Sequence, residues 1–181
     1  MAQSKPEGKL GALGVENHDI VNDAWNHRIE TLIGHGVMNC ALAVCLLAKG
    51  YPFLYTGEEV ADTTRHSILC NRVYAPNCRV NWSNALTRAG QERMAFLRAL
   101  TALRHAHPAL CGGSIRALDS GADKVVSFAR EAAGEELEVW ISFSDTETSI
   151  PEIRTDGENL FGGEGGAGKL APFEVRVIKV C

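Results

Sequence analysis

Two groups of side chains in this sequence have the composition of a reactive site. Glu16-Asn17-His18-Asp19 sets two carboxylates, an amide and an imidazole side by side, directly after the short apolar lead Leu13-Gly14-Val15. Taken alone the run also reads as a turn, because Asn and Asp are common turn and helix N-cap residues. A second acidic group, Glu58-Glu59, closes the apolar stretch Tyr51-Pro52-Phe53-Leu54-Tyr55-Thr56-Gly57. Carboxylates that follow two successive strand-like segments are what the C-terminal edge of a parallel sheet or barrel displays, and that edge is where such folds build their sites.

The segments between must position these groups. Residues 1–12 read as a tail, with Leu10, Leu13 and Val15 hinting at a weak strand that enters the first cluster. Asn22 or Asp23 can cap a helix running through Ile33, with Trp25 and Ile29 at helical spacing and Gly34 and Gly36 ending it. A second helix is expected from Val37 to Lys49. Val37, Cys40, Ala41, Val44 and Ala48 repeat at the helical period, and most other positions are apolar, so it should be buried. Gly50 stops it, Lys49 suits its negative end, and Tyr51–Thr56 reads as extended.

Between Gly57 and Asn84 no periodicity emerges, and a polar, aromatic loop of that length is more often functional than idle. Thr87 then caps a helix whose stripe Met94, Leu97, Leu100 and Leu103, widened by Phe96, ends before Pro108. Past Cys111-Gly112-Gly113 the pattern changes to period two. Val125–Phe128, then Leu137, Val139, Ile141 and Phe143, then Phe173, Val175 and Val177 predict half-buried strands of a small antiparallel β unit. The run from Gly162 to Gly168 lacks the spacing of a phosphate-binding loop.

Composition narrows the function classes. Hydrophobic residues at 45% and charged residues at 22% are those of a globular chain rather than a disordered one. A net charge of -4 with scattered basic residues argues against nucleic acid as a partner. No apolar run is long enough for a membrane helix, and Met1–Lys9 lacks the core of a secretory signal, so a cytoplasmic, non-membrane protein is expected. Cys40 and Cys45 fall in the apolar helix as small buried hydrophobes. His66, Cys70 and Cys78 are the one metal-like grouping, but without a CxxC pair the expectation is no metal and no other cofactor.

In order and spacing the motifs resemble the alpha-amylase superfamily of glycoside hydrolases. Glu16-Asn17-His18-Asp19 is similar to that family's Asn-His-Asp motif after the seventh strand of its (β/α)8 TIM barrel. Gly50–Glu59 is similar to the eighth strand, with its Gly-x-Pro and Gly-x-Glu. Ala95–Arg104, followed by His107-Pro108-Ala109-Leu110, is similar to the eighth helix and the join to a C-terminal β-sandwich. The resemblance implies an α/β plus all-β chain: a tail over 1–12, the last part of a TIM barrel over 13–110, and a β-sandwich domain over 111–181. It implies an alpha-glucan or oligosaccharide substrate.

By the same resemblance Asp19 is the catalytic carboxylate that steadies the transition state, and His18 hydrogen-bonds the sugar. Glycosidic cleavage passes through an oxocarbenium-like state, which a fixed carboxylate and an aimed imidazole bind better than the ground state. Asn17 and Glu59 are read as supports that hold the loop ends. One departure weighs against activity of this chain alone. A retaining glycosidase needs a nucleophile and a general acid about 5 Å apart, which the family places on its fourth and fifth strands, and those strands are not here. The only acid before Glu16 is Glu7, in the tail. Two strands cannot close a barrel, so a polypeptide supplying the missing strands is an expected partner, covering the parallel edge and the apolar face of the helix from Val37.

Two other readings stand beside the glycosidase fragment. In one, the β-sandwich of residues 113–181 is a non-catalytic carbohydrate-binding or interaction module, with Trp140, Phe161 and Phe173 as the available sugar platforms. In the other, His66, Cys70 and Cys78 hold zinc in an interaction protein.

Overall fold

The structure, a computed structural model, describes residues 9–18, 28–64 and 79–180. Its first half alternates short strands with helices: β1 (Ala12–Leu13), α1 (Ile29–Ile33), α2 (His35–Leu47), β2 (Tyr51–Pro52), α3 (Arg88–Ala106) and α4 (Pro108–Gly112). The strands β3 (Ser114–Ala117), β4 (Val125–Ala132), β5 (Glu135–Ser142), β6 (Thr148–Ser149), β7 (Glu158–Phe161), β8 (Lys169–Leu170) and β9 (Val175–Lys179) follow. β1 and β2 pair in parallel, Ala12 opposite Tyr51. The later strands make an antiparallel five-stranded sheet, β3-β4-β5-β9-β7, and a two-stranded ribbon, β6-β8.

One face of the large sheet lies on the helices. Leu137, Val139 and Ile141 of β5, with Phe128 of β4 and Val175 and Val177 of β9, share a core with Met38, Leu42, Ala43 and Leu47 of α2, Leu97 and Leu100 of α3, and Leu110 of α4. The opposite face meets the ribbon through Trp140, Ile150, Ile153, Leu170 and Ile178. The strands are therefore not half-buried as their alternation suggests. Both faces of β5 are covered from Leu137 onward, and the one carboxylate among those residues, Glu138, accepts hydrogen bonds from Arg154 and Trp140.

The helices depart from the sequence pattern at their ends, each for a visible reason. Arg28 is extended, and α1 begins at Ile29, whose N–H donates to the Glu16 carboxylate, so its cap comes from a loop 13 residues upstream rather than from Asn22 or Asp23. Residues 19–27, which hold those two candidates, lie outside the described residues. Gly34 takes a positive φ and ends α1, but Gly36 lies inside α2, where the Phe173 ring leaves no room for a Cβ. Thr87 caps α3 as expected, its hydroxyl accepting the Gly90 N–H at 3.1 Å. Past it Pro108 opens a further short helix, its ring suited to the first helical position.

The carboxyl end of α2 is not served by Lys49, which is exposed. Two buried arginines reach it instead. Arg104 donates to the Leu46 and Gly50 carbonyls, and Arg130 to the Leu47 carbonyl as well as to Gly113 and Ser114. Burial, and then the nearby Arg104 charge, bring Arg130 down to about 10. The apolar face of α2 is also not left open, because the sheet covers it: Met38, Cys40, Leu42, Ala43 and Leu47 are fully buried. Exposed apolar side chains are scattered, and Leu10, Tyr51, Phe53 and Leu54 are those around the parallel pair. Among the described residues no helix is long and apolar enough to cross a membrane.

Candidate active site

Parallel pairing sends the chain out of β1 and out of β2 at the same edge of the sheet. Val15, Glu16, Asn17 and His18 follow β1, and Thr56-Gly57-Glu58-Glu59 follows β2, so both acidic groups belong to one edge. Asn17 and His18 are exposed there. Asp19 lies outside the described residues, as do His66, Cys70 and Cys78.

Arg28 joins the two loops. Its guanidinium lies 2.7 Å from the Glu16 carboxylate, a pair with almost no exposure, and reaches toward the Thr56 carbonyl at 3.4 Å. The same cation sits 5.6 Å from the centre of the Tyr55 ring. A charge pair this dry holds only if the remaining donors and acceptors are met, and the Ile29 N–H meets the second Glu16 oxygen. Gly57 makes the crossing feasible: its φ is +100°, and a Cβ there would stand 3.0 Å from an Arg28 nitrogen and 3.2 Å from the Asp62 Cβ.

Around the second loop the carboxylates divide their work. Glu59 accepts the Gly57 N–H at 2.8 Å, which closes the turn on itself. Glu58 points inward, accepts the Tyr55 N–H at 2.8 Å with one oxygen, and leaves the other buried and without a partner. Burial pushes its carboxyl up to about 8, with the Glu16 charge adding to the effect against the Tyr55 hydrogen bond and the Arg28 and Arg93 cations. Asp62, also buried, accepts from the Thr64 and Asn81 N–H groups and from the Asn84 amide, tying together the chain on either side of residues 65–78.

Arg93 of α3 anchors this edge to the helices. It donates to Asn39 of α2, to the Glu58 carbonyl at 3.0 Å and to Glu30 of α1 at 2.9 Å, while Glu30 also meets His35. Neither Arg28 nor Arg93 was visible as a site residue from the sequence. Helical spacing does give a signal for the second: Arg93, Leu97, Leu100 and Arg104 recur at 4, 3 and 4 residues and are all buried, so the inward stripe of α3 carries a cation on either side of its leucines.

No family model matches this chain, and no curated protein does. Solved structures do, and the fold is one the chain shares with part of alpha-amylase-type enzymes. A Salmonella typhimurium protein provisionally assigned as an alpha amylase superposes with a TM-score of 0.74 at 23% identity, covering 94% of this chain and 35% of that one. The trehalulose synthase MutB of Pseudomonas mesoacidophila MX-45 gives 0.71 at 19% identity, over 96% of this chain and 44% of that one. A MutB variant in complex with its substrate sucrose gives 0.70 at 19% identity, over 95% and 44%. The chain thus spans less than half the length of the enzymes it resembles.

Proposed function

We propose that the chain is the C-terminal part of an alpha-amylase-type glycoside hydrolase acting on alpha-glucosidic bonds of glucans or oligosaccharides. In this reading β1 and β2 are the seventh and eighth strands of a (β/α)8 barrel, and residues 111–181 form the β-sandwich domain that follows it. The observation that carries the reading is the parallel pairing of β1 and β2, which delivers both acidic groups to one sheet edge.

In the assembled site Asp19 is the carboxylate that stabilises the oxocarbenium-like transition state, and His18 hydrogen-bonds the sugar there. Asn17 and Glu59 act as supports; the hydrogen bond from Gly57 N–H to Glu59, which spends that carboxylate on its own turn, favours this role over contact with the scissile bond. The nucleophile and general acid come from strands outside this sequence, so the isolated chain is inactive. The β-sandwich gains no support as a separate sugar-binding module, because Trp140 is 2% exposed and Phe161 and Phe173 pack against the main core.

Two measurements test this. The purified chain should release no reducing sugar from maltooligosaccharides or from a chromogenic α-glucoside. Joined to a polypeptide that supplies the other strands, it should become active, and Asp19→Asn should then lower kcat by about a hundredfold or more. Activity of the isolated chain that Asp19→Asn abolishes would overturn the reading.

A further inference from the structure

The glycine-rich loop between β7 and β8, residues 162–168, is moulded on one buried carboxylate. Glu174, 5% exposed, accepts the Gly163 and Gly165 N–H groups at 2.8 and 2.9 Å and the Ala171 N–H at 2.7 Å, and it pairs with Arg176. Arg176 in turn donates to the Gly166 carbonyl. At Gly162, where φ is +76°, a Cβ would stand 2.2 Å from the Val175 carbonyl oxygen, so the loop lies directly on β9. The backbone on both sides of Glu164 is thereby fixed. Its side chain is exposed, and among the described residues it meets neither a donor nor a cation.

Beside Glu164 lies a cavity of about 270 Å³ between α3 and the sheet. Phe96 of α3, Phe161 of β7, and Pro172 and Phe173 ahead of β9 make its apolar walls, and the Phe96 and Phe161 rings meet edge to face with centres 6.0 Å apart. Two side chains of the lining carry charge, Glu164 and Glu174, and both are negative. Since Glu174 is spent on the loop and on Arg176, one free carboxylate remains beside three aromatic rings.

We propose that this cavity binds a small quaternary ammonium group, with its methyl groups against Phe96, Phe161 and Phe173 and its charge toward Glu164. A cation is what such walls attract, through the ring quadrupoles and the carboxylate together. The lining also fixes the kind of cation. A primary ammonium brings three N–H donors, and Glu164 is the one lining side chain free to accept them, so it would lose hydration without replacement. A quaternary ammonium has no donor to satisfy. An anion finds no positive side chain in the lining, and a metal ion finds a single free carboxylate where it needs several ligands. None of these residues takes part in the glycosidase reading.

The probe is choline, set against its uncharged carbon isostere, in which a tert-butyl group replaces the trimethylammonium. Isothermal titration calorimetry of the full chain should show choline binding with a Kd on the order of 1 mM, roughly tenfold tighter than the isostere. Glu164→Gln should weaken choline by roughly threefold. Glu164→Lys should abolish its binding with the loop intact, because the bonds from the loop to Glu174 are made by backbone N–H groups. Phe96→Leu and Phe161→Leu, each checked for cooperative thermal unfolding, should remove most of the preference for choline over the isostere. No binding of choline, equal affinity for the two compounds, or a preference untouched by Glu164→Lys overturns the proposal. Phosphocholine should bind more weakly than choline, since no cation in the lining receives its phosphate; tighter binding would assign the cavity to a phosphate-bearing lipid headgroup and overturn it too. No sugar enters the titration, so its outcome leaves the glycosidase reading where it stands.

Discussion

Glu58 should make this chain lose stability as pH rises, and its amide counterpart should not. The carboxyl is 1% exposed, one of its oxygens has no partner, and burial lifts it from 4.5 to about 8. Over that interval the folded chain holds a proton that the unfolded chain has released. Folding stability therefore falls steadily with rising pH and levels off above the folded value. A displacement of this size corresponds to roughly 4–5 kcal/mol between about pH 5 and about pH 9, a third or more of what holds an ordinary domain together.

Glu58→Gln keeps an oxygen to accept the Tyr55 N–H and cannot ionise. The two proteins should unfold at similar urea concentrations near pH 5. Near pH 9 the variant should be the more stable by several kcal/mol, followed by tryptophan fluorescence. Taking the difference between the two curves cancels every other titrating group. Stability–pH curves that run parallel from pH 5 to pH 9 would refute the reasoning, since they would mean that Glu58 is hydrated or paired when charged.

Glu16→Gln preserves an acceptor for the Ile29 N–H but leaves the Arg28 cation buried without its counterion, so chemical denaturation should show a loss of about 3–5 kcal/mol. Gly36→Ala places a Cβ 2.5 Å from the Phe173 ring, and Phe173 sits at φ 55°, so the ring has little freedom to retreat; Tm should drop by the equivalent of about 1–3 kcal/mol despite better helix propensity, and Phe173→Leu in the same chain should recover part of it. A thiol reagent at neutral pH should modify exposed Cys111 and spare Cys40 and Cys45, whose burial pushes them up to about 12 and about 11, as peptide mass mapping before and after denaturation would show. Residues 113–180 alone should lose cooperative unfolding and bind ANS, because the helices cover Phe128, Leu137, Val139, Ile141, Val175 and Val177, whose burial at about 1.5–3 kcal/mol each is comparable to a whole domain's stability.

Periodicity made the long elements legible and left the short ones obscure. The stripe of α3 and its Thr87 cap could be read because a 19-residue helix repeats its pattern often enough to stand out, and the alternation of β4, β5 and β9 for the same reason. β1 and β2, at two residues each, have no period to read, and their pairing is settled by contacts between positions 39 apart. For the site, the acidic runs themselves were visible. What holds them was not, since Arg28 bonds to Glu16 across 12 residues and Arg93 to Glu30 across 63. Such pairings depend on how the elements dock and leave no mark in local sequence.

The same distances explain why ion pairs occupy this edge at all. Two strands of two residues bury almost no surface against each other and would not hold their loops in place by packing. Arg28 and Arg93 perform that task with directed bonds: the first ties the loop after β1 to the loop after β2, and the second ties the loop after β2 to α1, α2 and α3. Hydrophobic packing would place these loops no better than within a side chain's freedom, whereas a guanidinium fork fixes both distance and direction. Each such bond costs desolvation, and Glu58, with one oxygen unmet, is where that cost is still visible. The edge that displays Asn17, His18 and Glu59 is thus held by polar contacts laid over an apolar core, so substitutions in the core should lower stability broadly while those at Arg28 or Arg93 should move the loops first.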